Sequence, residues 1–130
     1  MLLEISELES PLLQINEQLL KGKNNKAKKA LNRFLNENPL NQQAWLLLGI
    51  TNRRIGSLDE AILCFEKASH LNTKSLEAWG LLTITYLDKG NQKLARETIE
   101  RAGKLNPNDE KIQFYRNNLI RVYEKFGPFF

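Results

Sequence analysis

The residues that most often do chemistry are scarce in this chain. It has one histidine, His70, and one cysteine, Cys64, so it can form no His-based catalytic triad, no His-rich metal site and no internal disulfide. Asp59, Glu60 and Glu66 are spaced for helix capping and helix-surface ion pairs, not for paired acid–base catalysis. The sequence therefore predicts a protein that is not an enzyme and needs no cofactor or metal, so any site should be a binding surface.

The positive charge of the chain is concentrated in one stretch. The formal net charge is +4, and residues 21–33 contain no acid. Basic blocks without interleaved aromatic residues are poor predictors of nucleic-acid binding, so we interpret the stretch as a solvated helix face and expect no nucleic-acid partner. The alternative is a patch that steers an acidic partner or an anionic surface. Its cations are Lys21, Lys23, Lys26, Lys28, Lys29 and Arg33.

Length and hydropathy favour one domain in the cytoplasm. The chain has 130 residues, of which 42% are hydrophobic, enough for one core. It has no apolar run of the ~18 residues that a membrane span needs, so we expect no transmembrane segment. The start, MLLEISELE, has three Glu and no Lys or Arg, unlike a secretory signal.

An internal repeat organises the rest of the chain. Trp45 and Trp79 are 34 residues apart, and glycine and alanine recur at the same interval. A fixed period in this range is typical of stacked-repeat architectures. The glycine column is Gly22, Gly56 and Gly90, and the alanine column is Ala27, Ala61 and Ala95.

This pattern resembles the tetratricopeptide repeat, whose signature is W-x2-L-G-x2-Y, then A-x3-F, then Ala and Pro. The resemblance implies an all-α fold, an α-α superhelix of three helical hairpins with a C-terminal capping helix. We expect one domain over 1–130, with repeats at about 8–41, 42–75 and 76–109 and a closing helix at 110–126. The matching residues are Trp45, Leu48, Gly49, Ala61, Phe65 and Ala68 in one copy, and Trp79, Leu82, Tyr86, Ala95, Ala102 and Pro107 in the next.

Start and stop signals place the helices. Ser10-Pro11 predicts a helix start, which would separate a short helix or arm at 1–9 from the first repeat. Asn25 is expected to cap the next helix, and Ser57 with Glu60 to form a capping box. The predicted helices span 11–21, 26–37, 42–55, 58–71, 76–89, 92–105 and 109–126.

In the resembled family, the first helix of each repeat lines a concave surface that binds an extended or helical segment of a partner. The corresponding positions here are largely Leu and Ile, and an apolar surface of that extent marks an interaction site or needs a cover. We expect the hairpin stack to leave these side chains uncovered, and Arg53 and Arg54 to meet an acid on the partner. The candidate groove residues are Leu12, Leu13, Asn16, Leu46, Leu47, Ile50, Arg53, Arg54, Leu81 and Ile84.

The family's clamp for a C-terminal carboxylate is missing at the equivalent positions. A clamp with Leu and Glu in place of its cations cannot hold a carboxylate, so we do not expect this chain to bind chaperone C-terminal tails. Those positions are Leu12, Asn16, Leu47, Glu77 and Leu81, of which only Asn16 agrees with the family.

Two functions remain open. The first is a protein-interaction module that takes an apolar or amphipathic peptide or helix of a protein partner, as an assembly factor, scaffold or chaperone. The alternative is a homodimer that buries the groove, or the final helix with Phe129-Phe130, between two copies.

Overall fold

The computed structural model describes the backbone of residues 2–127 and the side chains of residues 11–127; the tail Phe129-Phe130 lies outside them. The described residues form seven helices, none of which is long and apolar enough to cross a membrane. They are α1 (Leu2–Leu20), α2 (Asn24–Glu37), α3 (Gln42–Ile55), α4 (Leu58–Leu71), α5 (Leu76–Asp88), α6 (Gln92–Leu105) and α7 (Glu110–Phe126).

The helices pair into consecutive hairpins. Helices α1 and α2, α3 and α4, and α5 and α6 pack against each other, while α2 contacts α3 and α4 contacts α5. Helix α7 packs on both α5 and α6 and so closes the last hairpin. This arrangement confirms the predicted all-α stack of three hairpins with a closing helix.

The first hairpin begins differently from the prediction. Helix α1 runs without a break from Leu2 to Leu20 and contains Pro11, so residues 2–9 are not a separate helix or arm. A proline removes one backbone donor, but its fixed φ is compatible with a helix, so Ser10-Pro11 alone does not distinguish a start from an interior position. Helix α2 begins at Asn24 with Lys23, not Asn25, at the cap position.

The predicted capping box before α4 is also absent. Ser57 stands at the cap position but makes no side-chain hydrogen bond to the helix. Its ψ of 71° departs from the 104° and 107° of Ser75 and Asp109, whose side chains do accept helix N–H bonds. The short Ser57 side chain therefore does not reach the backbone donors.

Glycine and tryptophan set the contacts within a repeat. A Cβ on Gly49 would lie 2.4 Å from Cε1 of Phe65, so only glycine allows α3 to lie against this ring. Trp45 Nε1 donates to the carbonyl of Pro39 at 2.7 Å, and Trp79 Nε1 to that of Thr73 at 2.8 Å. Each indole therefore ties its helix to the loop that precedes the repeat.

The core is divided among the joints of the stack. One cluster of buried side chains joins the first two hairpins, a second joins α3 and α4 to α5, and a third joins α5 and α6 to α7. In such a chain each unit contacts only its neighbours. The stability of the fold is therefore the sum of the stability of each unit and that of each interface between neighbouring units.

The glycines that end α3 and α5 provide the first test. Gly56 has φ +92° and Gly90 has φ +76°, yet beyond the adjacent residues of the chain no atom lies within 4 Å of a Cβ added at either position. The cost of a side chain is therefore conformational, and we expect Gly56→Val and Gly90→Val each to lower the free energy of unfolding by about 1–2 kcal/mol. Urea denaturation measures this, with the exposed Lys26→Ala as control. Midpoints equal to the control in both glycine variants would contradict the prediction.

Candidate functional site

A cavity of about 710 Å³ opens between α3 and α5, on the face formed by the first helices of the hairpins. We call this cavity and its walls the groove. Apart from Leu58 at the start of α4, its walls come from α3, α5 and α7. The lining residues are Ile50, Arg53, Arg54, Leu58, Leu76, Glu77, Gly80, Leu81, Ile84, Asp88 and Tyr115.

The groove is bounded at both ends by polar contacts between α3 and α5. At one end, Gln42 Nε2 donates to Ser75 Oγ at 3.1 Å. At the other, Arg53 Nε lies 2.7 Å from Asp88 Oδ2 in an ion pair that is largely shielded from solvent. The two helices are thus joined by polar contacts at both ends of the cavity.

Asp88 also connects the groove to α7. Tyr123 Oη donates to Asp88 Oδ1 at 2.5 Å, so one carboxylate joins α3, α5 and α7. Burial, with the hydrogen bond to Asp88, raises the pKa of Tyr123 to about 12. The phenol therefore stays protonated and remains a donor throughout the neutral range.

The apolar wall includes a residue that sequence reasoning missed. Tyr115 lies on the helix that was expected only to cap the stack, yet its ring lies against Gly80, where an added Cβ would be 2.9 Å from Cε2. The signal was present, since Tyr115 follows Leu81 by the repeat interval of 34 residues. Helix α7 thus contributes to the groove as a further first helix would.

The structure separates the ten predicted groove residues into two sets. Ile50, Arg53, Arg54, Leu81 and Ile84 line the cavity. The others lie outside it: Leu12 and Leu47 pack against the first core cluster, Leu13 is 53% exposed, Asn16 is exposed, and Leu46 is buried.

Two of the expectations about burial are wrong. Leu46 is only 4% exposed because Ala78 and Leu82 of α5 share its core cluster, so it is not available as an anchor. Ile84 is only 3% exposed and packs with α7 residues, including Ile112. In both cases the next unit of the stack covers a side chain that was expected to remain uncovered.

The two adjacent arginines have different surroundings. Arg53 is paired within the chain to Asp88, so it is not reserved for an acid on a partner. Arg54 is exposed, and its Nη1 donates to the carbonyl of Leu19 in the last turn of α1 at 2.9 Å.

The residues with catalytic potential are engaged elsewhere. Asp59 pairs with Lys89, and Glu60 with Lys28 at 2.9 Å. Burial raises the pKa of the Cys64 thiol to about 11, which makes it a poor nucleophile at neutral pH. Among the described side chains no cluster of three or more His, Cys, Asp or Glu is placed to hold a metal.

The link from Tyr123 to Asp88 predicts a stability change with pH. Tyr123→Phe removes one hydrogen bond and should cost about 0.5–1.5 kcal/mol at pH 7. Because the folded-state pKa is raised from 10.0 to about 12, the phenol stabilises the fold fully below about pH 10 and loses this effect as the pH rises to about 12. We therefore expect the urea midpoint of Tyr123→Phe to fall less between about pH 10 and about pH 12 than that of the wild type.

Tyr115→Phe is the matched control, since the Tyr115 hydroxyl makes no hydrogen bond within the described part of the chain. The pKa of Tyr86 is also raised to about 12, so the stability of both variants should still fall somewhat at alkaline pH. Equal alkaline profiles for the two variants would contradict the assignment.

Comparisons with known proteins identify the repeat. The model of the tetratricopeptide repeat matches residues 42–74 and 76–109, which together make up more than half of the chain. No curated protein matches the chain.

Solved structures share the fold at low sequence identity. The Yersinia enterocolitica type III secretion chaperone SycD, in complex with a peptide of the translocator YopD, is 19% identical, with 92% of each chain covered and a TM-score of 0.77. The first TPR of Spaghetti (RPAP3), bound to the HSP90 peptide SRMEEVD, is 16% identical, covers 85% of this chain and 88% of its own, and has a TM-score of 0.68. MamA is 21% identical over 94% of this chain and 80% of its own, with a TM-score of 0.69. With its matched repeats and this shared architecture, the chain belongs to the tetratricopeptide repeat family.

Proposed function

We propose that this chain is a protein-interaction module that binds a peptide segment of a partner protein in the groove between α3 and α5. The observation that carries the proposal is the bounded cavity of about 710 Å³ with walls from Ile50, Leu81, Ile84 and Tyr115. This volume lies within the range of ligand pockets, which are concave and mostly apolar with a few polar groups. Apolar side chains of a partner would fill it.

The expected energetics fit a modest affinity. Each Leu or Ile side chain that leaves water contributes about 1.5–3 kcal/mol, and a micromolar complex needs about 8 kcal/mol. A few apolar anchors could therefore carry most of the binding free energy after the entropic costs of association. The polar contacts at the ends of the groove hold the site open before a partner arrives, which lowers those costs.

The structural relatives support the same class of function. Two structures with this fold, SycD and the first TPR of Spaghetti, are complexes with peptides of other proteins. By analogy, the present chain would serve as an assembly factor, scaffold or chaperone.

Self-association is the second candidate. Phe114 and Phe126 on α7 are exposed, as are Leu13 and Leu20 on α1, so both ends of the stack present apolar surface. A dimer through either end would leave the groove accessible. Light scattering over a range of concentrations tests it, because a dimer shows a mass that rises with concentration.

Substitution of a groove wall tests the peptide-binding proposal. Leu81→Glu places a charge in the cavity, while Leu63→Glu makes the same change on α4 at a side chain that is 66% exposed and lies outside the groove. Selection from a peptide library displayed on phage should enrich peptides with apolar anchors on the wild type and on Leu63→Glu. We expect Leu81→Glu to bind the selected peptides at least about tenfold more weakly, because the buried charge must be desolvated.

Thermal unfolding by circular dichroism controls for the fold. If Leu81→Glu is destabilised too far, Leu81→Ala removes the apolar contact without adding a charge. A folded Leu81 variant that binds the selected peptides as tightly as the wild type would disprove the site.

A further inference from the structure

The charges at one end of the groove are unevenly balanced. Three ion pairs neutralise most of this region: Arg53 with Asp88, Lys28 with Glu60 at 2.9 Å, and Lys89 with Asp59. Of the cations in the turn after α1 and the last turn of α3, Lys21, Lys23 and Arg54 form no ion pair with a described acid, and we call these three the basic corner.

One residue of the basic corner, Arg54, lies at the groove. Arg54 lines the cavity, and its Nη1 donates to the carbonyl of Leu19, two residues before Lys21, at 2.9 Å. This contact uses one of the five N–H donors of the guanidinium. Arg54 therefore joins the last turn of α1 to the wall of the cavity.

The unpaired acid nearest to the basic corner in sequence does not cancel its charge. Glu17, one turn before Lys21 on α1, is exposed and forms no ion pair with a described residue. One carboxylate against three cations leaves an excess of positive charge. Of the two acids that line the groove, Asp88 is paired with Arg53, and Glu77 lies in the first turn of α5, toward the end closed by Gln42 and Ser75. The groove is thus positive at one end and negative at the other.

We propose that the basic corner makes the groove selective for partner segments that carry Asp or Glu side chains on one side of their apolar anchor. The inference rests on the proposed peptide-binding function and specifies its partner. A carboxylate beside the anchor would form charge-assisted hydrogen bonds with Arg54 and gain from Lys21 and Lys23, whereas a lysine there would be repelled.

The carboxylate in question belongs to a side chain, not to a chain terminus. The positions that would hold a terminal carboxylate carry Leu12, Leu47, Glu77 and Leu81, which supply no cation. The basic corner lies elsewhere, at the turn after α1 and the last turn of α3. An acidic side chain within a longer segment can reach it without ending the segment in the groove.

The remaining basic residues of the same stretch supply a matched control. Lys26 and Lys29 lie on α2, are exposed and, unlike Arg54, do not line the cavity. Lys26→Glu with Lys29→Glu changes the net charge as much as Lys21→Glu with Arg54→Glu does. A comparison of the two pairs separates a local contact from a general effect of net charge.

The experiment repeats the phage selection on the wild type and on both double variants. For the wild type and the α2 pair, we expect selected peptides with Asp or Glu on one side of the anchor. A labelled peptide from that set should lose about tenfold or more in affinity when its acids are changed to Lys, measured by fluorescence anisotropy at low salt. For Lys21→Glu with Arg54→Glu, this preference should vanish or reverse.

Controls keep the test decisive. Lys21→Gln with Arg54→Gln removes the charge without adding repulsion, in case the Glu pair fails to fold, and should also abolish the preference. If no peptide is selected on the wild type, the proposed function fails, and this inference with it.

Other results overturn the inference alone. Selected peptides without acidic bias would leave peptide binding in place and refute the selectivity. Equal weakening by the α2 pair would assign the effect to net charge. Loss of binding when the peptide C-terminus is amidated would show that the groove binds the terminal carboxylate of the peptide and not an acidic side chain.

Discussion

No hairpin in this chain can bury its apolar face alone, and the rest of the structure follows from that constraint. Each core cluster lies at a joint, so the side chains that stabilise one hairpin belong partly to the next. Close approach requires small residues, both within a hairpin, where Gly49 accommodates the ring of Phe65, and at a joint, where Gly80 lies against Tyr115 of α7. The groove arises from the same geometry, because α4 packs against both α3 and α5 while the two first helices are tied mainly at their ends.

The fold was predictable from sequence because its determinants recur. Columns of Trp, Gly and Ala at one interval define the hairpins without knowledge of their contacts, and the predicted spans 42–55, 58–71 and 92–105 coincide with α3, α4 and α6. Local signals were less reliable. Pro11 lies inside a helix and Ser57 does not cap one, since both outcomes depend on backbone geometry that neighbouring units set.

The groove was only partly predictable for a related reason. The position of a residue in the repeat predicts the face of the first helix on which its side chain lies. Whether that side chain is buried depends on the next unit of the stack, which covers Leu46 and Ile84. The two adjacent arginines also have different partners. Arg53 pairs with Asp88, one repeat later in the chain, whereas Arg54 donates to the carbonyl of Leu19, one repeat earlier. Pairings over such distances leave no mark in the local sequence.

The carboxylate of Asp88 has a mechanical consequence. Because it joins α3, α5 and α7, and because Gln42 and Ser75 join α3 to α5 at the other end, a change in the width of the groove must either break one of these contacts or bend the stack. A bulky ligand that pushes the walls apart would straighten the superhelix, and a small one would let it coil more tightly. The size of the cavity and the curvature of the stack are therefore coupled while these contacts hold. A force applied at the two ends of the stack would change how tightly a ligand is bound between α3 and α5.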